Sequence, residues 1–250
     1  LNDAAFQEAL QTWQADLFVV VAFRILPVSV LSIPPEGAVN LHASLLPKYG
    51  GAAPIQWAIV NGETETGVTT FFIESKVDTG KILLQRSVSI GPDETAGELY
   101  GRLMSGGAAL LRETVDLIAA GKAQPAQQHG ETTPAPKLTK TDGLLDWSQP
   151  SKAIHNRVRG LNPYPMAYTY RDDRSLRVIS SRLCPDVPAP PGMPGEVATA
   201  DKDGLIIRTG DGCLALTRVQ PEGKKRMGAD EFIRGYHIKP GDRLTSDQQS

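Results

Sequence analysis

Asn40 and His42 stand two residues apart in the stretch Ala38-Val-Asn-Leu-His-Ala43. If that stretch is a strand, its period of two turns both side chains to one face and sets an amide beside an imidazole. Asp78, in Glu74-Ser-Lys-Val-Asp-Thr-Gly80, falls between two further strand patterns, where a carboxylate can approach His42 and favour the protonated ring. This trio suits acyl transfer. The amide and the imidazolium can donate hydrogen bonds to a carbonyl oxygen as it becomes negative, while the carboxylate orients the histidine and helps move the proton off an attacking amine. Residue types alone leave plain roles open as well, a hydrogen-bonded Asn and His on a strand and a turn aspartate before Gly80. His129, His155 and His237 read as structural, and the chain holds no metal-ligand cluster, P-loop or GxGxxG.

The elements that must position these groups follow an α/β pattern. Leu17 to Phe23 is continuous, apolar and β-branched, as in a parallel-sheet strand covered on both faces. Ala38–Ala43, Gly67–Ile73 and Ile82–Ile90 read as further strands, with a short helix from Ala52 to Val60. In an open parallel sheet ligands bind beyond the carboxyl ends of the strands, so Ser44-Leu-Leu-Pro-Lys-Tyr-Gly-Gly51 is placed to line such a crevice. A long helix follows from Thr95 to Ala120, with Asp93 or Thr95 as its N-cap, Gly121 as its stop and a kink expected at Gly106-Gly107. Residues 125–150, rich in Pro and Thr at their start, read as an extended linker. After it come a helix from Ser151 to Arg159 and short strands at 166–170, 176–183, 204–209 and 213–220, the pattern of a small β-barrel.

Composition narrows the class. Of 250 residues, 40% are hydrophobic and 22% charged, too apolar for a disordered chain and ordinary for a globular one. No apolar run approaches the roughly 18 residues of a membrane helix. Cys184 and Cys213 are too sparse for a disulfide framework, which favours a reducing compartment. Charge divides the chain: residues 1–150 hold 10 Lys and Arg against 16 Asp and Glu, and residues 151–250 hold 16 against 12. A basic second half suits an anionic partner such as RNA, or simply a solvated face.

Asn40-Leu-His-Ala-Ser-Leu-Leu-Pro-Lys-Tyr-Gly-Gly-Ala-Ala-Pro54, taken with Val77-Asp-Thr-Gly80, resembles the formyltransferase family that uses 10-formyltetrahydrofolate. The resemblance implies Asn40, His42 and Asp78 as the catalytic set, and Ser44, Leu45, Leu46 and Pro47 as a loop lining the folate site. Lys137-Leu-Thr-Lys140, Leu145-Asp-Trp147, Val158-Arg-Gly-Leu-Asn-Pro163 and Lys224-Lys-Arg-Met227 with Phe232-Ile-Arg-Gly235 are similar to the branch acting on methionyl-tRNA. That likeness implies formylation of the methionyl α-amine on initiator tRNA at translation initiation, with no metal. It also implies a Rossmann-like catalytic domain over residues 1–124, incomplete at its N-terminus, then the 125–150 linker and an OB-fold-like barrel over 151–250 that helps hold the tRNA. Lys224, Lys225 and Arg226 are the expected phosphate contacts, and a monomer in bacterial-type cytoplasm is expected, with an organelle left open.

Three departures qualify the resemblance. The family's opening strand-helix-strand unit is expected upstream of Leu1, and these 250 residues alone are expected to be poorly soluble and inactive. Gly50 stands where the family usually has Arg, and Pro134 where it has Tyr.

Overall fold

The computed structural model describes residues 1–184, 192–201 and 204–247. It forms two compact units, one of residues 1–55, 64–90 and 99–137, the other of 56–63, 91–98 and 138–250. In chain order the first elements are α1 (Ala4–Thr12), β1 (Phe18–Val21), α2 (Val28–Leu31), β2 (Ala38–His42), β3 (Lys48–Gly51), α3 (Pro54–Val60), β4 (Glu65–Phe72), β5 (Ile82–Ser89), α4 (Ala96–Ala119) and β6 (Thr133–Ala135).

The sheet of the first unit has the order β1-β2-β4-β5. It is mixed. Only β1 and β2 are parallel, whereas β4 and β5 form an antiparallel hairpin against β2. The parallel pattern therefore holds for one pair of strands, because composition reports burial and not strand direction. Coverage of β1 on both faces is also corrected: Val19 is 46% exposed and Val21 50%.

Period-two alternation gives the sheet two different faces. Leu41 and Thr70 are register partners on the face that receives α4, where the Thr70 and Thr114 hydroxyls meet at 2.7 Å. His42 pairs with Thr69 and Asn40 with Phe71, so these four lie on the opposite face. The helix starts at a reciprocal cap: the Thr95 hydroxyl accepts from the Glu98 N–H, and the Glu98 carboxylate accepts from the Thr95 N–H. α4 runs unbroken through Gly106 and Gly107, where a kink was expected. Gly107 serves packing instead, since a Cβ there would lie 2.9 Å from the Leu41 side chain.

The stretch 125–150 is extended at its start but it is packed. β6 pairs in parallel with β3, and Ala135, Leu138, Leu145 and Trp147 are all buried. Its prolines fit because a ribbon of two strands leaves N–H positions that need no ladder partner.

The second unit contains α5 (Ser151–Gly160), β7 (Ala167–Arg171), β8 (Arg174–Leu183), β9 (Val197–Asp201), β10 (Gly204–Arg208), β11 (Cys213–Pro221), β12 (Met227–Gly228) and α6 (Ala229–Tyr236). Its antiparallel sheet runs β7-β8-β11-β10-β9, with β12 also on β11. Residues 242–245 join the two outer strands. Thr245 exchanges two hydrogen bonds of 2.9 Å with Tyr170 on β7, and the Val197 N–H of β9 donates to the Asp242 carbonyl at 2.8 Å. The sheet is thereby closed into the expected OB-fold-like barrel around Trp147, Val178, Leu205, Leu214 and Phe232. No helix among the described residues is long and apolar enough to cross a membrane.

Candidate active site

β2 carries Asn40 and His42 to the end of the sheet, where the chain turns into the 44–47 loop and returns as β3. His42 is buried, and its Nε2 lies 2.8 Å from the Tyr49 carbonyl. A carbonyl only accepts, so Nε2 carries the proton of that bond. This leaves Nδ1 facing Asp78, with 3.9 Å between Nδ1 and the carboxylate Oδ2. The expected approach of the carboxylate to the imidazole is present, but the Nε2 proton already has an acceptor.

Asp78 is fixed by strained and crowded backbone. It adopts φ +53, in the left-handed region that costs a non-glycine residue about 1 kcal/mol. Its Oδ2 accepts the Gly51 N–H at 2.8 Å. Both flanking glycines are required for close approach: a Cβ on Gly51 would meet the Ala135 carbonyl at 2.5 Å, and one on Gly80 the Phe72 carbonyl at 1.7 Å. Gly50 differs. Its Cβ position lies 3.6 Å from Asp78 Cβ, an ordinary contact, so the side chain absent at this position would stand beside the carboxylate.

Asn40 supplies the third group. Its Oδ1 is buried without a hydrogen-bond partner among the described residues. Such an atom costs roughly 1–3 kcal/mol unless something else completes it. A half-turn of the amide exchanges donor and acceptor, so this position can offer either to an entering polar group.

The loop after β2 is built from inside. Ser44 is 0% exposed and its hydroxyl donates to the Lys48 carbonyl at 2.6 Å. Thr69 donates to the Ser44 carbonyl at 2.6 Å and accepts the Leu46 N–H at 3.2 Å. Gln85 donates to both the Leu46 carbonyl and the Thr69 hydroxyl at 2.9 Å. Of the four expected folate-loop residues, Ser44 and Leu46 are buried while Leu45 and Pro47 are half-buried, Leu45 lying against Gly67 of β4. Thr69, Gln85 and the Tyr49 carbonyl were not legible as site groups, although the alternation that selects Asn40 and His42 also puts Thr69 on their face. No group of three or more His, Cys, Asp or Glu among the described residues gathers as metal ligands would.

Lys224, Lys225 and Arg226 lie elsewhere, on an exposed turn between β11 and β12 that is held by the Lys224 N–H on the Pro221 carbonyl at 3.0 Å. They belong to the second unit, not to the group around Asp78.

Residues 1–115 match the family described as formyl transferase, and residues 137–237 match the formyl transferase C-terminal domain. A methionyl-tRNA formyltransferase of Citrifermentans bemidjiense is 45% identical over 239 residues, covering 95% of this chain and 74% of that protein. The chain belongs to the methionyl-tRNA formyltransferase family. Among solved structures, HypX from Aquifex aeolicus in complex with tetrahydrofolic acid superposes with a TM-score of 0.69 at 20% identity, over 96% of this chain and 44% of HypX. A methionyl-tRNA formyltransferase from Clostridium thermocellum superposes with a TM-score of 0.59 at 18% identity, over 74% of this chain and 81% of that one. These two likenesses concern the fold. With the family in place, the catalytic half is of the Rossmann-like formyltransferase type, here with a mixed sheet, followed by the family's C-terminal domain.

Proposed function

We propose that this chain transfers the formyl group of 10-formyltetrahydrofolate to the α-amine of initiator methionyl-tRNA, giving N-formylmethionyl-tRNA for translation initiation. Family membership supports the reaction. The observation that carries its location is the buried Asn40 Oδ1, without a partner among the described residues, on the same sheet face as His42, which Asp78 approaches. Residues 1–124 are assigned the chemistry and 151–250 the tRNA grip, in a monomer of bacterial-type cytoplasm.

The chemistry follows from the atoms available. The amine nitrogen attacks the formyl carbon, and the carbonyl oxygen becomes an anion that the Asn40 amide N–H can meet. The amine proton passes to His42 Nδ1, because Nε2 is already protonated against the Tyr49 carbonyl. The imidazolium so formed is stabilised by Asp78 across 3.9 Å. Collapse re-forms the carbonyl, breaks the bond from the formyl carbon to N10, and returns a proton to N10. No covalent enzyme intermediate is needed. The half-buried Leu45 and Pro47 and the backbone of the 44–47 loop would hold the folate, while the exposed Lys224, Lys225 and Arg226 suit tRNA phosphates.

The reading is tested by incubating the full-length polypeptide with radiolabelled 10-formyltetrahydrofolate and three acceptors: charged initiator tRNA, a nucleotide-linked amino sugar, and water. Label on the methionyl-tRNA is expected. Label on the amino sugar instead, or released formate alone, would contradict it.

A further inference from the structure

We propose that Gln128 is a positioning residue for Asp78, holding the backbone of the catalytic loop from outside the sheet that carries the rest of the site. The proposal rests on the role given to Asp78 above. Residues 124–132 are otherwise exposed, and Gln128 alone in that run is turned partly inward. Its amide nitrogen donates one hydrogen bond to the Asp78 carbonyl at 2.8 Å and one to the Gly80 carbonyl at 2.9 Å. An amide NH2 has two protons, and both are used on this loop.

The loop needs such a clamp. Residues 74–77 are exposed and supply no apolar anchor, while Asp78 itself holds a left-handed φ. A conformation of that kind persists only where its surroundings over-determine it. Gly51 fixes the carboxylate end of Asp78 and Gln128 fixes the main-chain end, so together they set how the carboxylate faces His42.

Gln128 is itself well anchored. Two residues earlier, Ala126 exchanges hydrogen bonds of 2.8 and 2.9 Å with Ile82 at the start of β5. A few residues later, β6 pairs with β3, the strand that supplies the Gly51 N–H. One segment therefore braces both ends of Asp78, the carboxylate through β3 and Gly51 and the main chain through Gln128, a half-buried glutamine in an exposed run.

The test compares Gln128→Leu and Gln128→Glu in the full-length polypeptide, with melting temperatures measured alongside. Glu keeps the side chain's reach and Leu stops one atom short; Leu cannot donate, and an ionised Glu faces two carbonyl oxygens with no proton. Turnover is expected to fall about 10- to 100-fold, the scale of an ångström-sized misplacement, with KM for folate and tRNA little changed. In an Asp78→Asn background Gln128→Leu should cost nothing further, because the residue acts through the missing carboxylate. Turnover within twofold of the parent in both variants, or losses that multiply with Asp78→Asn, would overturn the proposal. Amide hydrogen exchange gives a readout free of activity: the Gly51 N–H should exchange at least about tenfold faster in either variant, and unchanged exchange in both contradicts the clamp. If the parent protein formylates no acceptor, the functional reading fails while the exchange comparison still decides on Gln128.

Discussion

The two sheets of this chain solve the same problem in opposite ways. The barrel of the second unit closes on itself through residues 242–245 and fills its interior with apolar side chains. One face of the first unit's sheet carries Asn40, His42 and Thr69 beside the buried Phe71, polar groups where the barrel has apolar ones. The difference separates stability from chemistry. A closed apolar interior gains from burial and tolerates little polarity, whereas a site must keep unsatisfied polar groups and strained loops ready for a ligand.

The comparison can be broken first in the barrel. Trp147 is 2% exposed, and its indole N–H donates to Thr169 at 3.0 Å. Trp147→Ala should destabilise the second unit by about 3–5 kcal/mol in denaturant unfolding. A loss under about 1 kcal/mol would mean that the barrel core does not carry the stability assigned to it. In the first unit the matching test is a pair of neighbours. Gly51→Ala drives a Cβ into the Ala135 carbonyl and should lower turnover at least about tenfold, whereas Gly50→Ala makes only an ordinary contact and should be tolerated. Equal effects would show that the clamp on Asp78 is looser than its geometry.

Smaller effects concern the second unit's surface and its buried polar cluster. Replacing Lys224, Lys225 and Arg226 by Ala should weaken tRNA binding and reduce its log–log salt slope by roughly one for each phosphate left unneutralised. An unchanged slope removes the turn from the tRNA surface. His155, on α5, is buried between Ser181 and the Pro92 carbonyl, with Asp93 at 3.2 Å. Burial holds its pKa below the ordinary 6.5, outweighing the raising effects of the Pro92 carbonyl and Asp93, while Arg159 lowers it further. The unfolded chain therefore binds the proton first as pH falls. The folded state is favoured above pH 6.5 and loses stability as pH drops toward the lower folded pKa. His155→Gln should flatten the decline of the melting temperature between about pH 7.5 and 5.5, and an equally steep decline in both proteins would assign it to other groups.

Much of this was legible in the chain. Asn40 and His42 fall on one face because strand alternation needs only a correct strand assignment, and the long α4 is announced by its Thr95 cap and apolar stripe. What stayed hidden depends on partners distant in sequence. Closure of the barrel joins Tyr170 and Val197 to residues 242–245, and no local pattern encodes that pairing. The packing of residues 133–147 was masked by prolines that fit a ribbon as well as a linker. The imidazole was expected to donate to the substrate oxygen, but the Tyr49 carbonyl takes the Nε2 proton, a consequence of the loop's path and not of its composition. Gln128 had no signature, since a glutamine in a polar run looks like any other.

The central claim is that the face of the first sheet carrying Asn40 and His42 performs the transfer, with Asn40 meeting the oxyanion. The most direct test is single-turnover formyl transfer to charged initiator tRNA by Asn40→Ala in the full-length polypeptide, with folate affinity measured on the same sample. The account predicts a rate about 100- to 1,000-fold lower with folate affinity little changed. A rate close to that of the parent would contradict it.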